Sequence, residues 1–133
     1  MNNQQALNNL TDQYERARSR KAVAESPFLA FRRAVEDTIS VIEAGNYQVA
    51  SVSGNMSRVM LQTILDLIKS GPADCEDGIR IQRELIQWTL EDFRDESAIL
   101  NLTITRGDRS YWNACMMHLE AAWRKLERAY KLA

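Results

Sequence analysis

The stretch "SYWNACMMHLEAAWRKLERAYKL", residues 110–132, decides the fold of this chain. Its large apolar side chains recur every three or four positions, at Trp112, Met116, Leu119, Trp123, Leu126 and Tyr130. A stripe with this spacing is what an amphipathic helix presents to the other helices of a bundle. We therefore predict a long helix whose aromatic residues face the core rather than a ligand.

Two further helices are predicted towards the N-terminus. Residues 4–23 carry a narrow apolar stripe, and residues 1–5 are expected to fray. Ser26 suits the N-cap of the next helix, Pro27 suits its first helical position, and Gly45 is expected to end it in the left-handed conformation. The stripe of this second helix is Phe28, Phe31, Val35, Ile39 and Ile42.

A third helix is predicted to end at Gly71 and Pro72, which stop helices. Met56, Met60, Ile64 and Leu67 form its expected inward stripe, widened by Val59, Leu61, Leu65 and Ile68. Two possibilities remain for its start. The stretch "SVSGN", residues 51–55, is either a turn capped by Ser53 or Asn55, or the weak first stretch of a longer helix, because glycine costs only about 1 kcal/mol there.

The stretch "EDGIRIQRELIQWTLEDFRDESAILNLTI", residues 76–104, predicts a fourth helix. Ile79, Ile86, Phe93 and Leu100 stand seven positions apart, and Ile81, Leu85 and Trp88 line a second edge. We expect one long helix, and two possibilities remain near residues 94–97, "RDES": the helix either continues unbroken or bends or breaks there. The tail "LNLTIT" resembles a strand, but no second strand is available to pair with it. Asp108 is expected to cap the last helix.

The fold prediction is an all-α, compact bundle of four to five helices, forming one domain over residues 1–133. The chain has 45% hydrophobic and 26% charged residues, which is ordinary for a globular protein. The N-terminus lacks the apolar core of a signal peptide, and no apolar run reaches the roughly 20 residues of a membrane span. We therefore predict a cytoplasmic protein without a membrane partner, with Cys75 and Cys115 as free thiols.

Catalytic chemistry finds little support in the motifs of the sequence. His118 is the only histidine, and Cys115 precedes it by three positions, so both could face one metal ion. A zinc site needs about four ligands, or three if it is catalytic. No phosphate-binding, dinucleotide-binding or hydrolase motif is present. We therefore predict no catalytic, cofactor-binding or metal-ligating residue.

The charge pattern divides the chain. Residues 66–100 carry nine acidic and four basic side chains, whereas residues 101–133 carry six basic and three acidic ones. The candidate contact residues for a phosphate or a protein interface are Arg16, Arg18, Arg20, Arg106, Arg109, Arg124, Lys125 and Arg128. Alternatively, the basic ends only balance the acidic central helices of the same molecule.

The function favoured by these patterns is that of a small, non-enzymatic helical interaction protein. Such an adaptor, inhibitor or regulatory subunit would act by binding another protein, with a homo-oligomer as one form of that partnership. The alternative is a nucleic-acid-associated subunit that uses the basic faces of the first and last helices.

Overall fold

The computed structural model describes residues 27–45, 47 and 52–132, with the side chains of all but residues 106 and 132. This part of the chain forms four helices and no strand. They are α1 (27–44), α2 (Val52–Ile68), α3 (Glu76–Thr103) and α4 (Arg106–Leu132). The all-α prediction is confirmed. The helix predicted over residues 4–23 and the cap at Ser26 lie outside the described residues.

The apolar face of α1 agrees with the sequence. Its five predicted core residues are all buried: Phe28, Phe31, Val35, Ile39 and Ile42. The predicted end of α1 at Gly45 is confirmed, because the helix stops at residue 44. The left-handed conformation predicted for Gly45 is wrong, because the described glycine with a left-handed backbone is Gly71. Gly45 lies instead beneath an aromatic ring, since a Cβ there would stand only 2.6 Å from Cζ of Tyr47.

Helix α2 extends over Val52–Ile68, so the described part of "SVSGN", residues 52–55, is the first stretch of a longer helix and not a turn before it. Its inward stripe is rotated from the predicted one, because Met56 and Val59 are exposed. The buried face consists of Ser53, Gly54, Ser57, Leu61, Ile64 and Ile68. Small side chains in the first two turns allow close packing, which hydrophobicity alone did not indicate.

The connection from α2 to α3 is set by backbone and side-chain caps. Gly71 has a φ of +89°, and its amide donates to the carbonyl of Ile68 at 3.0 Å. Only glycine adopts this conformation without strain. Cys75 then caps α3, where its Sγ accepts a weak hydrogen bond from the amide of Gly78 at 3.4 Å.

The predicted long helix is confirmed, because α3 runs without interruption from Glu76 to Thr103. The alternative of a break near residues 94–97 is excluded, and "LNLTIT" forms no strand, in agreement with the sequence argument. Leu100 is buried in the core, and Ile104 ends the helix in an extended conformation. Core packing here overrides the weak helix propensity of the tail.

Helix α4 is capped by Thr105 and not by Asp108. The amide of Asp108 donates to Oγ1 of Thr105 at 3.3 Å, so Asp108 lies in the first turn, where its charge favours the helix dipole. The predicted inward stripe is confirmed: Met116 packs half-buried against the core, and the other five residues are buried. Trp123 is only 2% exposed.

The helices differ in how closely they approach. The backbones of α2 and α3 lie together along much of their length, whereas α3 and α4 stand further apart. Large rings fill the interior beside α4, with centroids 5.4 Å apart for Phe31 and Trp123 and 6.4 Å apart for Phe93 and Trp112. None of the helices in the described ranges is long and apolar enough to cross a membrane.

Candidate functional site

The aromatic residues of α4 use their polar atoms to join α4 to α3. Nε1 of Trp112 donates to Oγ of Ser97 at 2.9 Å, and Nε1 of Trp123 donates to Oε1 of Gln87 at 2.8 Å. Buried indole groups require such partners. These residues therefore have a structural role in the α3–α4 seam, and they present no free polar group to a ligand.

The ion pair across this seam reverses the expected charge pattern. Arg94, on the acidic helix α3, binds Glu120, on the basic helix α4, through two hydrogen bonds of 2.6 and 2.7 Å. These hydrogen bonds raise the pKa of Arg94. No other ion pair joins α3 to α4 within the described ranges. The charge excess of each helix is therefore not neutralised by the other through direct contacts.

A groove of about 720 Å³ between α1 and α4 gathers the residue types that are most often catalytic. Its lining includes Asp37, Tyr47, Asp108, Tyr111, Cys115 and His118. Burial, and to a lesser extent Asp37, raise the pKa of the Cys115 thiol. The thiol is therefore protonated at neutral pH, whereas a nucleophilic cysteine requires a depressed pKa.

The rest of the groove supplies no clear catalytic pairing. His118 is exposed, and no hydrogen bond between it and Cys115 is found in the described part of the chain. Burial, and then the charge of Asp108 and a hydrogen bond to it, raise the pKa of Tyr47. The described side chains contain no group of three His, Cys, Asp or Glu residues that could hold a metal ion.

The structure places only some of the basic candidate residues. Arg16, Arg18 and Arg20 lie outside the described residues, as does the side chain of Arg106. Arg109 is half-buried, and its Nη2 stands 3.5 Å from the carbonyl of Ile104. Arg124, Lys125 and Arg128 are exposed on α4, and none of them forms an ion pair with a described carboxylate. They remain available for a partner.

The most unusual surface lies on the side of α3 that faces away from the core. We call this surface the α3 outer face: Ile81, Leu85, Trp88, Asp92, Asp95, Ile99 and Leu102, all exposed and spaced alternately four and three positions apart. Trp88 is 59% exposed and Leu102 is 78% exposed. Isolated apolar side chains are common on surfaces, but apolar side chains that recur at heptad spacing are the form that a partner helix recognises.

A second stripe with the same spacing follows the outside of α4. We call it the α4 outer face: Ser110, Ala114, Met117, Ala121, Arg124 and Arg128, all exposed. Its first half carries small or flexible apolar side chains, with Met117 at 75% exposure, and its second half is basic. The α3 outer face, in contrast, has aspartates between two apolar stretches.

Comparison of this chain with protein-family models, with curated proteins and with solved structures finds no match. Its function is therefore inferred from its own side chains.

Sequence reasoning identified part of these surfaces. The edge of Ile81, Leu85 and Trp88 was visible as a second apolar line on the helix. Its continuation through Ile99 and Leu102 was not identified, because the sequence left open whether the helix breaks near residues 94–97. The contribution of Asp37 and Tyr47 to the groove was missed, because these residues are more than 60 positions from His118.

Proposed function

We propose that this protein is a non-enzymatic interaction protein that binds another protein through the α3 outer face. It would act in the cytoplasm as an adaptor, inhibitor or regulatory subunit. The exposure of Trp88, the last residue of the first apolar stretch of this heptad-spaced face, carries the proposal. Trp is enriched among the interface residues that contribute most binding energy. Burial of exposed apolar surface against a partner removes it from water and so stabilises the complex.

The state of the groove supports a binding role over a catalytic one. Its thiol is protonated, its histidine is exposed, and Tyr47 packs edge-on against Trp112 at a centroid distance of 6.4 Å. A nucleophilic mechanism would need a base in hydrogen-bond reach of the nucleophile. Free Cys75 and Cys115 are consistent with a reducing compartment.

A nucleic-acid-associated role is the second candidate, and one observation favours it. Arg124, Lys125 and Arg128 are exposed together without a described acidic partner, as phosphate-contacting side chains would be. The net charge of −1 and the acidic α3 favour a protein partner, because proteins that bind nucleic acid usually carry an excess of positive charge.

Capture from a lysate of the native host, followed by mass spectrometry, tests the proposal. The bait is the full chain, compared with Trp88→Glu and with a matched control, Val59→Glu, which places the same charge on an exposed position of α2. We expect a discrete protein that Val59→Glu retains and Trp88→Glu loses. The same protein should remain after nuclease treatment.

Two results would contradict the proposal. One is a captured protein that Trp88→Glu retains as well as the parent does. The other is capture that disappears with nuclease, which would favour the nucleic-acid-associated role. Circular dichroism of both variants serves as the folding control.

A further inference from the structure

We propose that the α3 outer face of one copy of this chain packs against the α4 outer face of a second copy. This inference rests on the proposed function, because it takes the same binding face and names its occupant. The α3 outer face fits a helix with small apolar residues in one half and arginines in the other. Helix α4 of this chain is a helix of that kind.

The two faces match in spacing. Both stripes alternate steps of four and three positions, so each follows the seven-residue repeat of helices that wrap around one another. Helix α3 has 28 residues and α4 has 27, which gives each about 40 Å of length at 1.5 Å per residue. Each stripe lies entirely within its helix.

The two faces also match in side-chain size. The α3 outer face carries the bulky residues Ile81, Leu85 and Trp88, whereas the α4 outer face carries Ala114, Met117 and Ala121. Large side chains on one helix pack well against small ones on the other, because the helix axes can then approach closely. The unbranched side chain of Met117 adapts to irregular neighbours.

Their charges are opposite. Asp92 and Asp95 stand one turn apart on α3, and Arg124 and Arg128 stand one turn apart on α4. None of the four forms an ion pair with another described residue. With the two helices parallel, Arg124 and Arg128 stand opposite Asp92 and Asp95 in the same register that sets Ala114, Met117 and Ala121 opposite Ile81, Leu85 and Trp88.

Two other occupants of the α3 outer face are disfavoured. A second α3 outer face, packed antiparallel about its centre, would set aspartates opposite aspartates, and like charges at that distance repel. The α4 of the same copy cannot cover this face, since it already binds a different side of α3 through Gln87, Arg94 and Ser97. A basic stripe on another molecule is therefore the occupant that fits the α3 outer face.

The contact joins an α3 outer face to an α4 outer face, and each copy carries both faces. Two copies related by a twofold axis can make the contact twice and form a closed dimer, and repetition without closure gives longer assemblies. Because the charged side chains are exposed in the free chain and attract each other across the contact, salt should weaken the association.

Light scattering coupled to size-exclusion chromatography, over rising protein concentration, tests the proposal on the full chain. The first variant, Asp92→Arg with Asp95→Arg, makes both faces basic. The second, Arg124→Glu with Arg128→Glu, makes both faces acidic. We expect the parent to reach twice the monomer mass or more, and each variant alone to remain at the monomer mass.

The decisive arm is an equimolar mixture of the two variants. Each contact in a mixed assembly again joins a basic face to an acidic one, so the mass of the parent assembly should return. Recovery of association by two folded but separately monomeric variants excludes simple misfolding as the cause of the loss.

A parent that stays at the monomer mass at every concentration overturns the second-copy proposal. So does a mixture that fails to recover while both variants retain the parent's helical content, or a pair of variants that assemble as the parent does. In each case the proposed function survives if host-lysate capture still depends on Trp88. If the parent assembles but no captured protein depends on Trp88, self-association alone is supported.

Discussion

The hydroxyl of Tyr130 in α4 donates a hydrogen bond of 2.9 Å to Oε1 of Gln82 in α3. The same oxygen accepts from the amide of Ala73 at 3.2 Å, and Nε2 of Gln82 donates to the carbonyls of Leu67 and Gly71 at 3.2 and 3.1 Å. A side-chain amide has two donor hydrogens and two acceptor lone pairs, so all four hydrogen-bonding positions of the Gln82 amide have partners. It joins the end of α2, the loop, α3 and α4.

Replacing Gln82 should therefore cost more than replacing its partner. Tyr130→Phe removes one hydrogen bond, and we expect a loss of about 1 kcal/mol in the free energy of unfolding. Gln82→Leu leaves the Tyr130 hydroxyl and loop backbone groups unpaired, at about 1–3 kcal/mol for each buried group. Urea denaturation of both variants measures the difference. Equal losses would show that Gln82 does not hold the loop.

Stability should also fall at alkaline pH. Burial raises the pKa of Tyr130 well above its ordinary value, so the unfolded chain loses the phenol proton at a lower pH than the folded chain does. The stabilising contribution is complete below the unfolded pKa of about 10 and is lost as the pH rises above it. Denaturation between about pH 8 and about pH 11 should show a steep decline in the parent and a shallower one in Tyr130→Phe. Tyr111→Phe, which alters an exposed phenol, is the control and should decline as the parent does.

The helices could be predicted where the sequence carries a strong apolar period. The stripes of α1 and α4 and the heptad of Ile86, Phe93 and Leu100 in α3 are buried as expected. The face of α2 could not be predicted from hydrophobicity, because Gly54 and Ser57 are buried there for their small size. The sequence left the continuity of α3 near residues 94–97 open, because Arg94 and Ser97 find partners on α4, 26 and 15 residues away, which local sequence does not show.

Ser57 offers a test of the α2 packing. Its Oγ is buried and has no hydrogen-bond partner among the described residues. Ser57→Ala should raise the free energy of unfolding, because it removes a buried unpaired hydroxyl that costs about 1–3 kcal/mol. Ser40→Ala is the matched control for helix propensity, since the exposed Oγ of Ser40 bonds the carbonyl of Glu36 at 3.1 Å. A Ser57→Ala gain no larger than that of Ser40→Ala would contradict the packing described for α2.

The basic candidate residues of α4 should contribute little to stability. At protein concentrations where the parent is a monomer, Arg124→Glu combined with Arg128→Glu should change the free energy of unfolding by no more than about 0.5 kcal/mol, because both side chains are exposed and unpaired with described carboxylates. A larger loss in thermal denaturation would support the balancing role for these residues.

We also expect the parent to bind random DNA or RNA only weakly at physiological salt. Submicromolar binding would favour phosphate contact, provided that the slope of log affinity against log salt concentration becomes shallower by roughly one unit for each lost arginine.

The fluorescence of Trp88 tests the central claim most directly. Trp88 is exposed, whereas Trp112 and Trp123 are buried, so the difference in emission between the parent and Trp88→Phe isolates Trp88. We expect this difference signal to shift to shorter wavelength, and to lose its quenching by acrylamide, when the complex forms with a captured protein or with a second copy. A complex that forms while Trp88 stays as accessible to acrylamide as in the free protein would contradict binding through the α3 outer face.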